Sequence, residues 1–455
     1  MRNGHFRNGR CGRHGKAMRF FDRENEIARL RRAHDVSAKS AQFTVLTGRR
    51  RIGKTSLVLN AFSGEPLLYF FVARKAESEL CHGYLEQISQ VLGVPTVGEV
   101  SRFADIFRYV MELAKSRPLT LMIDEFQEFL KVNKSVYSEM QDIWDRNKHE
   151  AKMNLIVCGS VNSLMNKLFR DKKEPLYGRQ TDTMKLRSFT PSVLRQILAE
   201  YNPSYSNEDL LALYLLTGGV AKYVELFVDR GLMSWSEMLD AVFERDSYFL
   251  EEGKAMLVEE FGRDYGMYFS ILSLIAQGHN TRGDIEGILR CEIGGYLSKL
   301  ISDYELVAKR QPLFEKSANK NVHYAICDKF LNFWFRYIYK YNYMLEVGGN
   351  DKLRELAGKN YFTYSGKVLE DWFRDKMVET GAYTRIGYWH DRRGENEIDI
   401  IAIDDLERRA AFFEVKRQSR DIDLSVLKAK ADVFLKSTGL KGYDITYNGL
   451  CMDDM

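Results

Sequence analysis

The run Phe43-Thr44-Val45-Leu46-Thr47-Gly48-Arg49-Arg50-Arg51-Ile52-Gly53-Lys54-Thr55-Ser56 decides how this chain reads. Its first five residues are apolar or β-branched and predict a buried strand. The next eight satisfy G-x-x-x-x-G-K-[ST], and Ser56-Leu57-Val58-Leu59-Asn60 continues as a helix. Glycines at these places let backbone N–H groups face a phosphate, and the helix N-terminus adds its positive end. Gly48 to Ser56 is thus the expected cradle for ATP, with Lys54 on the β- and γ-phosphates and Thr55 on Mg²⁺. Arg49, Arg50, Arg51 and Ile52 belong to the loop, and the three guanidiniums read as solvent-facing.

Downstream, Leu119-Thr120-Leu121-Met122-Ile123-Asp124-Glu125 is an apolar strand ending in two acids, the Walker B form. Asp124 would hold Mg²⁺ through water, and Glu125 would polarise the attacking water. Leu155-Ile156-Val157-Cys158-Gly159-Ser160 ends a further strand in a hydroxyl placed to sense the γ-phosphate. With Leu67–Val72, these short apolar runs alternate with amphipathic stretches, so the expected fold is α/β with helices on both faces of a parallel sheet.

Charge sets limits only when divided. The chain has 67 Lys+Arg and 63 Asp+Glu, net +4, but residues 1–18 hold Arg2, Arg7, Arg10, Arg13 and Lys16 without an acid, leaving −1 for the rest. Bulk charge therefore argues for no nucleic-acid partner; local clusters must. Residues 1–18 read as a flexible basic tail, with Met18 opening the ordered pattern and serving as an alternative start. The six cysteines form no CxxC or zinc-like spacing and read as reduced thiols. Phe330–Leu345, the most apolar long segment, carries Asn332, Arg336, Lys340 and Asn342, so no membrane span and a cytoplasmic location are expected.

Phe21-Asp22-Arg23-Glu24, the phosphate loop, Ile123-Asp124-Glu125, Cys158-Gly159-Ser160, Pro175-Leu176-Tyr177-Gly178-Arg179 and Thr217-Gly218-Gly219-Val220-Ala221-Lys222-Tyr223 together resemble archaeal-type ATPases of the AAA+/STAND superfamily, over about 20–345. The resemblance implies an ATP-hydrolysing core at 19–200 and a helical lid at 201–262, which Gly218–Tyr223 brings near the nucleotide. Ala221 stands where the family usually has Pro. Arg179 is implied as an arginine finger or sensor that neutralises charge on the transferred phosphoryl group. From the residues alone it is a basic loop residue.

Residues 263–350 predict three short helices, a ribbon within Leu306–Ala325 and an aromatic core helix, the order of a winged helix-turn-helix. Lys299 on the presumed recognition helix and Lys309, Arg310, Lys316 and Lys320 on the wing are its cations, beside Asp303 and Glu305. DNA contact and protein packing are both open for it. Asp351–Leu356 reads as a charged connector. Beyond it, Glu370 on a helix, Glu397-Ile398-Asp399 and Glu414-Val415-Lys416 form an acid, Asp, Glu-x-Lys series whose strand members share faces. Such a set can hold Mg²⁺ or Mn²⁺ with Glu370, Asp399 and Glu414, leaving Lys416 to act on water. The segment 351–455 resembles the PD-(D/E)xK nuclease fold of the DUF234-like tails, an α/β restriction-endonuclease-like domain, with Ile398 in place of the motif's Pro. Trp389 and His390 just upstream read as structural. The functions these features imply are an ATPase coupled to a DNA-acting tail or, alternatively, a nucleotide-dependent switch, scaffold or winged-helix regulator, alone, as a homo-oligomer or with a protein partner.

Overall fold

The computed structural model describes residues 17–95, 98–262, 265–314, 322–391, 395–436 and 438–455. The expectations for the basic tail up to Lys16 and for Lys316 and Lys320 lie outside these residues.

Five parallel strands form the N-terminal sheet: β1 (Gln42–Thr47), β2 (Leu67–Phe71), β3 (Leu119–Asp124), β4 (Met153–Cys158) and β5 (Asp182–Lys185), in the order β2-β3-β4-β1-β5. Strands β3 and β4 are buried along their whole length, as their unbroken apolar runs require of a sheet covered on both faces. One face packs against helices Glu77–Leu92, Phe103–Ser116 and Val136–Asn147. The other joins a core that runs continuously through the lid, the aromatic segment and the C-terminal domain, from Leu46 and Ile156 by way of Leu215 and Phe330 to Trp372 and Phe413. The parts of this chain are therefore fused by a shared interior.

The lid is helical, as its periodicity predicts. Ser206 and Ser234 each begin a helix with a reciprocal capping box, to Asp209 and Glu237, satisfying N-terminal N–H groups. Helices Tyr265–Ala276, Arg282–Leu289 and Gly294–Ser302 then precede an antiparallel ribbon of β6 (Val307–Arg310) and β7 (His323–Ile326). The aromatic segment Lys329–Ile338 is helical and mostly buried, including a π-helical turn at Trp334–Ile338.

Two expectations need correction. Asp351–Leu356 is no connector: it is the first part of one 31-residue helix, Asn350–Thr380, which also carries Glu370. Arg310 is not a free wing cation, since it is paired with Asp371 of that helix at 2.9 Å, while Lys299 and Lys309 are exposed. The C-terminal sheet follows, from β8 (Arg385–His390), β9 (Glu397–Asp404), β10 (Arg409–Val415) and β11 (Asp444–Leu450), in the order β11-β10-β9-β8; β10 and β11 are parallel. Helix Leu424–Lys436 covers one of its faces.

Candidate functional site

The loop after β1 turns sharply because two of its residues can. Gly48 has φ 147°, and a Cβ there would lie 2.7 Å from the Leu186 carbonyl oxygen; Gly53 has φ 93° and opens helix Lys54–Ala61. Lys54 is only 6% exposed and donates to the carbonyls of Gly48 (2.8 Å) and Arg49 (3.0 Å). Burial holds its pKa below the usual lysine range. Thr55 Oγ1 donates to Asp124 Oδ2 at 2.7 Å, and Tyr69 donates to the same oxygen at 3.1 Å. A hydroxyl and a carboxylate thus already stand together at the strand end.

Glu125 sits in the left-handed region, φ 53°, a costly conformation for a residue with a side chain. It turns its carboxylate toward the next strand, where Ser160 Oγ donates to Oε2 at 2.8 Å and Gln127 donates to the same oxygen. Gly159 is required beside them, because a Cβ would approach Gln127 Oε1 to 2.5 Å and Met165 Sδ to 2.4 Å. Lys54, Thr55, Ser56, Asp124, Glu125 and Ser160 all line one cavity of about 670 Å³, closed on the lid side by Ala221 and Lys222. Tyr69, Gln127 and Arg23 were not legible as site residues. Arg23 also lines the cavity and is fixed by a 2.7 Å hydrogen bond to the Arg187 carbonyl and by the Phe189 ring.

The three loop arginines are each ion-paired, which corrects their reading as free, solvent-facing cations. Arg49 is paired with Asp328, Arg50 with Glu259 at 2.5 Å, and Arg51 with buried Glu252, which also accepts from Tyr223 at 2.7 Å. Their partners stand on the lid helix Tyr248–Phe261 and at the cap of the aromatic segment. Arg179 is placed outside the cavity of its own chain. It is bound to Asp145 at 3.1 Å and to the Tyr177 carbonyl, and against the cost of burial its pairing holds Asp145 below the usual carboxylate range.

In the C-terminal domain the predicted set is brought together by β9, β10 and the long helix. Asp399 Oδ2 accepts from the Val415 amide at 2.7 Å and lies 3.4 Å from Lys416 Nζ. Lys416 is 2.7 Å from Glu414, and Lys430 approaches the other oxygen of Glu414 at 3.4 Å. Burial, reinforced by Asp399, pushes Glu370 up to about 8, and burial raises Asp399 as well. Burial opposes the charge on Lys416, but hydrogen bonding to Glu414 and the field of Asp399 outweigh it and raise its pKa. Among the described residues no group of three or more His, Cys, Asp and Glu converges to hold a metal ion. Lys416 bridges Asp399 and Glu414, and Lys430 pairs with Glu414 from its other oxygen. No described helix is long and apolar enough to cross a membrane.

Residues 20–227 match the family described as an ATPase domain predominantly from Archaea, and residues 334–430 match a domain of archaeal and bacterial proteins of unknown function. An uncharacterized protein of Methanocaldococcus jannaschii is 30% identical over 443 residues, covering 94% of each chain. Among solved structures, a Walker-type ATPase of Pyrococcus abyssi superposes with a TM-score of 0.54 at 18% identity, over 70% of this chain and 96% of that one. This likeness shows a shared fold. With its phosphate loop, Walker B acids and fused C-terminal domain, the chain belongs to the family of archaeal-type ATPases that carry a DUF234 domain.

Proposed function

We propose that ATP binding and hydrolysis in the phosphate-loop cavity control a metal-dependent site for nucleic-acid phosphodiesters at Asp399, Glu414 and Lys416. One observation carries the coupling. Arg49 of the loop is paired with Asp328, and the next residue, Lys329, is bound to Asp371 at 2.6 Å, beside Glu370 of the C-terminal set. A change in the loop on nucleotide binding therefore has a short path of ion pairs to follow.

In the ATPase cavity the adjoining oxygens of Thr55 and Asp124 suit a hard cation such as Mg²⁺, which would neutralise charge on the phosphates. Lys54 would exchange its two carbonyl partners for phosphate oxygens. Glu125 would accept a proton from the attacking water, its carboxylate aimed by Ser160 and Gln127. In the C-terminal set Asp399 and Glu414 would hold Mg²⁺ or Mn²⁺ once Lys416 and Lys430 move aside, with Glu370 contributing in its ionised form. Exposed Lys299 and Lys309 would let the three-helix segment rest on a DNA backbone.

The test is scission of supercoiled, linear and single-stranded DNA with Mg²⁺ or Mn²⁺. Loss of cleavage in Asp399→Ala and Lys416→Ala, with ATP hydrolysis retained, supports the assignment; equal cleavage by parent and variants discards it. A second reading, a nucleotide-dependent switch that binds without cutting, is favoured by one observation: Glu414 is bridged by two lysines. No cleavage by the parent under any condition, with intact ATP hydrolysis, would select it.

A further inference from the structure

A second cavity, of about 490 Å³, lies between the ribbon β6/β7 and the long helix. Its size falls in the range that encloses a small ligand. Arg310, Lys329 and Arg374 line it, and all three side chains converge on a single carboxylate, Asp371, at 2.9, 2.6 and 2.5 Å. These cations are only 28%, 13% and 18% exposed. Three largely buried positive charges thus share one negative charge. Holding such an excess away from water is costly unless another anion completes it.

The rest of the lining fits an anion attached to an aromatic ring. Lys367, on the same helix, is exposed at the cavity and makes no hydrogen bond or ion pair among the described residues. Tyr324, Tyr364 and Tyr388 line it as well, and aromatic side chains are the partners on which bases stack. His390 is bonded through Nδ1 to the Asp391 carbonyl at 2.9 Å, which makes Nδ1 the donor; among the described residues its buried Nε2 is left as an acceptor with no partner. A sugar hydroxyl would satisfy it. Two further carboxylates line the cavity, Glu397, which is exposed and screened by water, and Glu370 of the C-terminal set; against these and Asp371 stand Arg310, Lys329, Arg336, Lys367 and Arg374, so the lining keeps an excess of positive charge.

We propose that this cavity binds a nucleoside phosphate, either free or as a unit of a single strand, with the phosphate completing the cluster around Asp371 and the base against the tyrosines. The inference concerns binding alone and does not depend on scission at Asp399 and Glu414.

The test uses the full chain carrying Lys54→Ala, which removes binding at the phosphate loop, in EDTA. Two probes are titrated by fluorescence anisotropy and equilibrium dialysis: a labelled oligothymidylate of about ten nucleotides and thymidine monophosphate. Binding of either probe is expected, weakened about tenfold or more by Lys367→Glu, with a salt slope for the strand reduced by about 0.7 or more. Binding of the strand alone assigns the cavity to a strand, and binding of both assigns it to a terminal nucleotide. Because Lys367 is exposed and makes no hydrogen bond or ion pair among the described residues, its reversal should leave the fold in place and, in the chain that keeps Lys54, ATP hydrolysis as well. Lys39→Glu, on the exposed turn after helix Glu24–Ser37, should leave both affinities unchanged. Equal affinity in parent and Lys367→Glu, an equal loss in Lys39→Glu, or no binding of either probe would overturn the proposal.

Discussion

Ser160 and Glu125, on adjacent strand ends of the N-terminal sheet, are joined by a 2.8 Å hydrogen bond to the oxygen that Gln127 also contacts. The carboxylate proposed as the general base is thus held in place by its neighbours. Its left-handed backbone is the strain that accompanies this placement.

The first prediction concerns these contacts. Glu125→Gln should lower ATP turnover by about 10²–10⁴-fold while ATP still binds. Ser160→Ala should lower kcat about tenfold with little change in KM, because it frees the carboxylate without removing it. Steady-state hydrolysis and nucleotide titration check both. Unchanged turnover in Glu125→Gln would remove the base assignment.

Arg179 gives a second prediction. Since it lies outside its own chain's cavity and is bound to Asp145, Arg179→Ala should leave ATP affinity unchanged. If it acts on a phosphate in the site of a neighbouring copy, its loss should lower turnover where hydrolysis depends on protein concentration. A tenfold loss of ATP affinity in dilute protein would contradict this placement.

Asp371 carries a third. It is buried, and although burial disfavours its charge, Lys329, Arg310 and Arg374 hold it far below the usual carboxylate range. Asp371→Asn leaves those cations without their counter-charge and should cost about 3–5 kcal/mol. Urea unfolding followed by tryptophan fluorescence reads this, since Trp372 is the next residue. A midpoint within error of the parent would show that the cluster contributes nothing.

A fourth follows from Glu370, whose pKa is pushed from 4.5 to about 8 in the fold. The folded chain then binds more protons than the unfolded chain between those values, so this group's contribution is full below about 4.5 and is lost as pH rises through about 8. In EDTA, Glu370→Gln should be more stable than the parent at pH 8.5 and similar to it at pH 4.5 or below. A difference independent of pH would refute the shift.

Much of this arrangement was legible in the sequence where local rules act alone. Phe43–Ser56 and Leu119–Glu125 carry strand, turn and helix signals that agree with their motif chemistry, and both fold as read. Asp182–Lys185 was not recognised as a strand: Asp-Thr-Met-Lys is polar because it forms a sheet edge beside β1. Asp351–Leu356 misled for a related reason. Its charges are the solvent side of a helix whose Leu353 and Ala357 are buried, and a six-residue window is too short to show that period. The roles of Arg49, Arg51 and Arg310 depend on acids that the chain supplies far away, at Asp328, Glu252 and Asp371. No local pattern can reveal such pairs. Gln127 and Tyr69 were missed because hydrogen bonds to the Walker B acids leave no motif.

The most direct test of coupling between the two sites is nicking of supercoiled DNA in Mn²⁺ by the parent and by Lys54→Ala, each with and without ATP. The account predicts that ATP changes the parent's rate by about 5–150-fold and leaves the Lys54→Ala rate unchanged. Cleavage indifferent to ATP in the parent, or an equal response in Lys54→Ala, would contradict it.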